Sequence, residues 1–302
     1  MEFLHSLANI RTPFGTALFQ GITLFGEETI IVCLLCALYW CRNKQLAYGV
    51  GMAFFLSAAV VQGLKITFRI DRPWLLDPTF VPVASALEAS TGYSFPSGHT
   101  QCAAALYGYL GVSCRRWYGR AALFALVLLV GFSRMYLGVH TPADVGASLL
   151  VTALIIACVY FCFRAGVSDA WLAGIVAALG AAVLVYALAL YGAGVIEMHY
   201  ASDCCKAAGG CLGCAVGLLW ERRGIRFSER APLWQQAVKF LVGMAGVVGI
   251  RWGLKALLGA SLLVDTLRYG LIALWVLALY PFLFQKAEGL RHGACPEQHG
   301  AA

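Results

Sequence analysis

Three short polar segments carry the residues whose types and spacing could do chemistry. In the first, Lys65 and Arg72 are seven residues apart, which places them on one face of a helix, two turns from each other. Arg69 lies between them on the same stripe. Pro73 disfavours helical geometry at Arg72, so the helix is expected to end there. Three cations at a helix end can bind an anion; the alternative is that they extend towards lipid headgroups.

The second segment, residues 93–100, directly precedes an apolar stretch. Ser97 is suited to cap the N-terminus of a helix, and Gly98 would let a ligand approach the backbone closely. The free N–H groups of a helix N-terminus favour an anion, and His99 follows at once. The alternative is an ordinary turn with a cap and a histidine at the membrane interface.

The third segment contains Arg134 and, six residues later, His140. Pro142 suits a first helical turn, which puts His140 just outside a helix and Asp144 inside it. A carboxylate on one imidazole nitrogen would fix the tautomer of His140 and leave the other nitrogen nucleophilic. Alternatively, Asp144 forms a capping box with Thr141, and both interactions can coexist.

The composition indicates which elements position these residues. Of 302 residues, 61% are apolar and 12% are charged, with a mean hydropathy of +0.76. Soluble domains have about 45–50% apolar and about 25% charged residues. The chain is too apolar for disorder and too long for a small disulfide-bonded domain, despite its 12 cysteines. We therefore predict an all-α, polytopic membrane protein, in which the net charge of +7 reflects basic loops and not a nucleic-acid partner.

The apolar stretches predict nine or ten spans. Segment 13–26 is ambiguous, since it is short and is followed by two glutamates; it either spans the membrane or is a re-entrant or interfacial piece. The long polar loop 69–97 is expected to be functional. Residues 1–165 are interpreted as the catalytic core, and 166–302 as additional spans with a short polar tail. The other stretches are 29–41, 46–68, 98–113, 119–138, 142–163, 171–191, 204–220, 232–254 and 266–285.

Alternating spans place all three polar segments on the same side of the membrane. The first segment ends a span and the second opens the next, and the third closes one span and opens another. The convergence of cations, two histidines, a carboxylate and a helix N-terminus favours a tetrahedral oxyanion, most naturally phosphate. Lysine and arginine can neutralise its charge without a metal, and two histidines allow one nucleophile and one general acid.

The motifs resemble those of the type 2 phosphatidic acid phosphatase superfamily, in its membrane-embedded lipid phosphatase branch. The resemblance covers about residues 28–163 and implies a six-helix phosphatase core and activity without a metal or another cofactor. It rests on three patterns in the usual order: Lys65-x6-Arg72-Pro73, Pro96-Ser97-Gly98-His99 and Ser133-Arg134-x5-His140-x3-Asp144.

The resemblance also implies a role for each motif residue. His140 would be the nucleophile that forms a phosphohistidine, oriented by Asp144, and His99 would be the general acid that protonates the leaving group. The remaining motif residues would form the phosphate cradle: Lys65, Arg72, Ser97, the Gly98 amide and Arg134.

The sequence does not select a substrate or indicate an oligomeric state. A membrane site suits a polyprenyl diphosphate, phosphatidate or phosphatidylglycerophosphate, whereas the glucose-6-phosphatase-like branch implies that a sugar phosphate is an alternative. A transporter of a phosphorylated species is a further alternative, against which the second histidine and the His140–Asp144 pair argue. Candidate accessory contacts on the catalytic side are Glu27, Glu28, Glu197, His199, Asp203 and Lys206.

The loop charges predict which side of the membrane the site faces. The opposite face receives twelve lysines and arginines, against four on the catalytic face outside the motifs: Lys206, Arg251, Lys255 and Arg268. The positive-inside rule then places the site on the extracytoplasmic side of a plasma or inner membrane. The twelve are Arg42, Lys44, Arg115, Arg116, Arg120, Arg164, Arg222, Arg223, Arg226, Arg230, Lys286 and Arg291.

Overall fold

The structure, a computed structural model, describes residues 1–88 and 90–293, and every regular element in that part of the chain is a helix. This confirms the all-α prediction. The expected polar tail from residue 294 lies outside the described residues.

As far as the structure describes it, the first half of the chain forms seven helices, of which the second and third differ in direction by only 46° and the third to the seventh alternate in direction around the site. A short helical turn, Pro73–Leu76, lies in the loop between the fourth and fifth. The helices are α1 (Glu2–Asn9), α2 (Pro13–Thr23), α3 (Glu28–Ala37, continued by a π-helical turn Leu38–Arg42), α4 (Lys44–Phe68), α5 (Gly98–Ala103, Ala104–Gly108 and Tyr109–Ser113 in succession), α6 (Trp117–Tyr136) and α7 (Pro142–Arg164).

The second half adds four helices: α8 (Asp169–Gly192), α9 (Met198–Trp220, continued by Glu221–Ile225), α10 (Leu233–Leu258) and α11 (Leu262–Leu274, continued by Trp275–Leu279 and Tyr280–Gly293). Contacts at the two ends agree with alternating directions. Arg222 Nε lies 3.2 Å from Asp169 Oδ1 at one end. At the other end, Arg251 Nη1 donates to Thr29 Oγ1 at 3.5 Å.

The predicted number of spans is not confirmed. Six segments of the described chain are long and apolar enough to cross a membrane: Lys44–Leu76, Trp117–Tyr136, Pro142–Arg164, Asp169–Gly192, Leu233–Leu258 and Leu262–Ala287. The ambiguous segment 13–26 forms α2, and α2 and α3 pass the same test only as a pair bent by 46°, which is either a seventh, broken span or a re-entrant segment. Helices α5 and α9 do not meet the same criterion.

Helix α4 ends earlier than the sequence predicted. Its last residue is Phe68, and Arg69 adopts a left-handed conformation with φ 50° and ψ 40°. A non-glycine residue rarely adopts this conformation, and it turns the chain out of the helix. Lys65 and Arg72 therefore do not share a helical face, and Arg69 is exposed on the surface instead of lying between them.

Close packing of α9 against α11 joins the added helices into one body. A Cβ atom on Gly209 would lie 2.1 Å from the Thr266 carbonyl oxygen, and one on Gly213 would lie 2.1 Å from the Gly270 carbonyl oxygen. Small residues let helix backbones approach closely inside a membrane. One buried apolar cluster runs through both halves of the chain, from Ile31 to Tyr280. The division at residue 165 stays a prediction.

The long loop 69–97 is fastened to the end of the bundle by the N-terminal segment and by α6. His5 Nε2 lies 2.8 Å from Asp77 Oδ2, and Arg11 Nη1 donates to the Val81 carbonyl at 2.6 Å. The Val83 amide donates to the Leu137 carbonyl at 3.0 Å. These contacts position the loop over the residues of the three polar segments.

Candidate active site

The three polar segments meet at one end of the bundle, as the alternation of spans predicted. Lys65 lies in the last turn of α4. The chain after α4 is extended at Arg72 and brings the Arg72 side chain back to the site. Gly98 and His99 open α5, while His140 directly precedes α7. All five residues line the same cavity.

The contacts of His140 define its tautomer. Arg72 Nη1 lies 3.0 Å from His140 Nε2. A guanidinium can only donate, so Nε2 carries a lone pair and the ring proton lies on Nδ1. Nδ1 lies 3.4 Å from Asp144 Oδ2. Neutral imidazole with Nε2 free of a proton is the form that can attack phosphorus.

Electrostatics favour the same neutral form. His140 is 2% exposed. Burial, reinforced by the positive charges of Arg72, Arg134 and Lys65, lowers the pKa of His140 well below its ordinary value. The cause is that an imidazolium ion would lose hydration and be repelled by three cations. His140 is therefore held as a free base at neutral pH.

Asp144 forms one of the two interactions that the sequence left open, the capping box, and lies close to His140. Thr141 and Asp144 form a reciprocal capping box at the start of α7. Asp144 Oδ2 accepts from the Thr141 amide at 2.7 Å and from Ser94 Oγ at 2.6 Å, and the same oxygen faces His140. The capping box is therefore formed, while Asp144 lies 3.4 Å from His140 Nδ1 without a hydrogen bond between them, and its role in orienting the histidine stays a prediction.

Lys65 and Arg72 are buried cations held by backbone carbonyls. Lys65 Nζ donates to the Tyr93 carbonyl at 2.6 Å. Arg72 donates to the carbonyls of Gly92, Val139 and Thr91 at 2.9, 3.0 and 2.9 Å, respectively. Since carbonyls orient a cation without neutralising it, positive charge remains for an anion.

Arg134 is 1% exposed and is held by two hydroxyl groups. Nη1 donates to Thr23 Oγ1 and Nη2 donates to Ser90 Oγ, both at 2.9 Å. Within the part of the chain that the structure describes, Arg134 Nε has no hydrogen-bond partner. Arg134 does not line the cavity, although its charge acts on His140.

The start of α5 has the geometry of an anion site. Ser97 is the N-cap, and its Oγ accepts from the Thr100 amide at 3.4 Å. A Cβ atom on Gly98 would have no heavy atom within 4 Å, because the residue faces the cavity. Helix N–H groups and His99 are thus presented to the same space as His140.

Family models match both halves of the chain. The PAP2 superfamily model matches residues 45–168, and the model of the PAP2 superfamily phosphatase transmembrane extension matches residues 205–292. Decaprenylphosphoryl-5-phosphoribose phosphatase of Mycobacterium tuberculosis is 30% identical over 154 residues, which cover 49% of this chain and 80% of that protein. The chain belongs to the PAP2 superfamily.

Other relatives carry different substrate names. Sphingosine-1-phosphate phosphatase 2 of Homo sapiens is 29% identical over 157 residues, covering 50% of this chain and 38% of that protein. Phosphatidylglycerophosphatase B of Bacillus subtilis is 28% identical over 156 residues, covering 45% and 69%. The region of the human protein that aligns with this chain is therefore well under half of that protein's length.

The accessory residues named from the sequence divide into two groups. Glu27, Glu28, Asp203 and Lys206 line the cavity of this PAP2 member. Glu197 and His199 do not: they are exposed, and Glu197 Oε2 lies 3.4 Å from His199 Nδ1.

Sequence reasoning missed the residues that hold the motif side chains. Ser94 binds Asp144, and Thr23 and Ser90 bind Arg134. Tyr200 of α9 stacks on Tyr93 with ring centroids 3.9 Å apart, which ties the added helices to the site loop. These residues lie outside recognisable motifs, and their contacts depend on the path of the loop.

Proposed function

We propose that this PAP2 member is an integral membrane phosphatase that hydrolyses a phosphate monoester or diphosphate of a lipid through a phosphohistidine on His140. One observation carries the proposal: Nε2 of a buried, neutral imidazole points to Arg72, while Nδ1 faces Asp144. A transporter would need the cations but not a nucleophile with a carboxylate behind it.

The reaction proceeds in two displacements. His140 Nε2 attacks phosphorus, and the bond from phosphorus to the leaving oxygen breaks. Burial and the charges of Arg134, Arg72 and Lys65 also lower the pKa of His99, so His99 carries the proton that it gives to this oxygen only when the negative charge of the bound phosphate offsets those cations. Water then attacks the phosphohistidine, loses a proton to His99, and the P–N bond breaks to release phosphate. Arg72 must transfer its Nη1 donation from His140 to a phosphate oxygen before the attack, which couples substrate binding to exposure of the nucleophile.

The proposed chemistry needs no divalent metal. Lys65, Arg72 and Arg134 supply positive charge, and the start of α5 supplies N–H donors for the developing oxyanion.

The decisive experiment is phosphate release by the detergent-solubilised protein from a panel of lipid phosphates and diphosphates, with glucose 6-phosphate included. We expect release in the presence of EDTA, inhibition by orthovanadate, and transfer of labelled phosphate to the protein from a radiolabelled substrate. A strict Mg²⁺ requirement, or turnover without a labelled protein intermediate, would contradict the mechanism. The panel also separates lipid from sugar phosphates.

We further propose that the site faces the extracytoplasmic side of a plasma or inner membrane. Two basic residues can now be added to the charge count. Arg11 donates to the Tyr136 carbonyl and lies on the catalytic face, and Lys239 lies near the Glu229 carbonyl on the opposite face. The twelve-to-four excess of basic residues thereby becomes thirteen to five, which supports this orientation.

Orientation is tested with a matched pair of cysteines in a background without reactive native cysteines. Ser85→Cys lies on the catalytic face and Ser228→Cys on the opposite face, and both positions are exposed. An impermeant thiol reagent on intact cells should label only the first. Labelling of Ser228→Cys alone would contradict the proposal and place the catalytic face on the cytoplasmic side.

A further inference from the structure

The cavity that contains the motif residues continues far beyond them. It has a volume of about 570 Å³ and descends between α3 and α4 on one side and α9, α10 and α11 on the other. On α4 alone its lining extends from Lys65 to Ala47. At 1.5 Å per residue this is about 27 Å, nearly the thickness of a bilayer's hydrocarbon core, about 30 Å.

The lining changes character along this length. The charged side chains in the cavity lie at the end near His140: Glu27, Glu28, Lys65, Arg72, Asp203, Lys206 and Arg251. Deeper, the lining is apolar, with side chains such as Leu35, Met52, Leu218, Val247 and Ile272. The channel therefore joins a charged mouth, with four cations and three carboxylates, to an apolar interior.

Two tyrosines form the floor. Tyr39 and Tyr48 both line the cavity at its far end, with ring centroids 5.6 Å apart. Tyr39 donates to the Leu277 carbonyl at 2.9 Å and its ring meets Phe227 edge-on at 5.1 Å. These contacts link α3, α4 and α11, so the floor is anchored to the bundle.

We propose that this channel holds the hydrocarbon chain of the phosphorylated substrate and that its depth limits the length of that chain. The inference rests on the proposed function and assigns to α9, α10 and α11 the role of a wall for the lipid tail. A polypeptide segment would leave backbone N–H and C=O groups without partners among these side chains, whereas a hydrocarbon chain has none to satisfy. Continuity with Lys65 and Arg72 places the phosphate at the only charged end of this cavity.

Two substitutions on α4 can shorten the channel by different amounts. Ala58 lines it about 10 Å below Lys65, and Gly51 lines it about 21 Å below. A Cβ atom on Gly51 would have only Leu35 Cδ2 nearby, at 4.0 Å, so a larger side chain has space to enter the cavity. Gly174 on α8 is the matched control, since it is exposed and a Cβ atom there would meet nothing within 4 Å.

The experiment measures kcat and KM for alkyl phosphates of increasing chain length with wild type, Ala58→Phe, Gly51→Phe and Gly174→Phe. We expect KM to rise by about fourfold for each methylene that no longer fits. The rise should begin at a shorter chain for Ala58→Phe than for Gly51→Phe. Gly174→Phe should keep the wild-type profile at every chain length. Turnover of short-chain substrates by the other variants shows that they fold, and Ala58→Leu and Gly51→Leu serve if the larger residues prevent folding.

Identical chain-length profiles in all variants would overturn the channel assignment. If wild type releases no phosphate, the proposed function fails, and the channel is tested separately by binding of non-hydrolysable alkyl phosphonates. The same order of cut-offs in affinity would support the channel; affinities independent of chain length would refute it.

Discussion

Two clusters of buried charge lie at opposite ends of the same bundle, and they are balanced differently. At the end away from the site, Lys44 Nζ donates to Glu221 Oε1 at 3.0 Å, and the Tyr48 hydroxyl donates to the other oxygen of Glu221. At the catalytic end, Lys65, Arg72 and Arg134 donate to carbonyls and hydroxyls, while Asp144 faces His140.

The difference separates a structural cluster from a functional one. Burial of charge marks both ends, since Glu221 is 0% and Arg134 is 1% exposed. A buried cation with a carboxylate partner is satisfied within the protein. Cations held by carbonyls, hydroxyls and the neutral ring of His140 keep their positive charge available, so the surplus of charge, and not burial, indicates where an anion binds.

Replacing His140 should have the largest effect on activity. We expect His140→Ala to lower kcat by at least about 10⁴-fold, because the attacking atom is lost. Phosphate release measured on protein with unchanged thermal stability tests this. His199→Ala is the control, since that histidine is exposed and lies outside the cavity. Substantial turnover by correctly inserted His140→Ala protein would remove His140 from the role of nucleophile.

Asp144→Asn should also lower kcat, but by a factor about a hundredfold smaller than for His140→Ala. The substitution disturbs the orientation of His140 and leaves the nucleophile in place. The amide oxygen can still accept from the Thr141 amide and Ser94, so the start of α7 should remain folded. The control is Thr141→Val, which removes the other half of the capping box. That variant should lose about 1 kcal/mol of stability while kcat changes little; equal losses of kcat in both variants would assign Asp144 to capping alone.

At the opposite end, Glu221→Gln should lower stability and leave kcat almost unchanged, which is the reverse of the effect expected for the catalytic residues. The substitution leaves Lys44, whose side chain is only 14% exposed, without a carboxylate, which we expect to cost about 3 kcal/mol of stability, seen as earlier thermal unfolding in detergent. The kcat of the folded fraction should stay near wild type. Combining Glu221→Gln with Lys44→Met should recover stability, since no charge remains unpaired. A large loss of kcat at low temperature would show that this cluster also serves the site.

Much of the site could be predicted because its residues lie at the ends of helices. Ser97 and the Thr141–Asp144 pair act through local capping rules, and alternation of spans brings distant helix ends together. Arg72 lines the cavity, but not through the continuous helix that the sequence predicted. The left-handed Arg69 ends α4 early, and a non-glycine residue gives no sequence signal for that conformation.

The remaining features depend on long-range packing. Glu221 lies beside Arg222 and Arg223 in what reads as a polar loop, and only the fold brings Lys44 to it. The channel is lined by the same small and apolar residue types that pack helices together. Nothing in the sequence therefore distinguishes Gly51, which faces the cavity, from Gly213, which touches a helix backbone.

The smallest expected effect is a shift in pH dependence that separates the two clusters by charge. Only neutral His140 can attack, so protonating it produces the acid limb of kcat/KM, and burial with the surrounding cations holds the pKa of His140 below its ordinary value. Arg134→Gln removes one of these cations, which raises the pKa of His140 and moves the acid limb to higher pH. Arg222→Gln, at the opposite end, should leave the limb in place. Both variants are compared on one substrate, so ionisation of the substrate phosphate is common to them and cannot produce the difference. An acid limb that moves equally in both variants, or in neither, would show that His140 does not titrate under the influence of the catalytic cations.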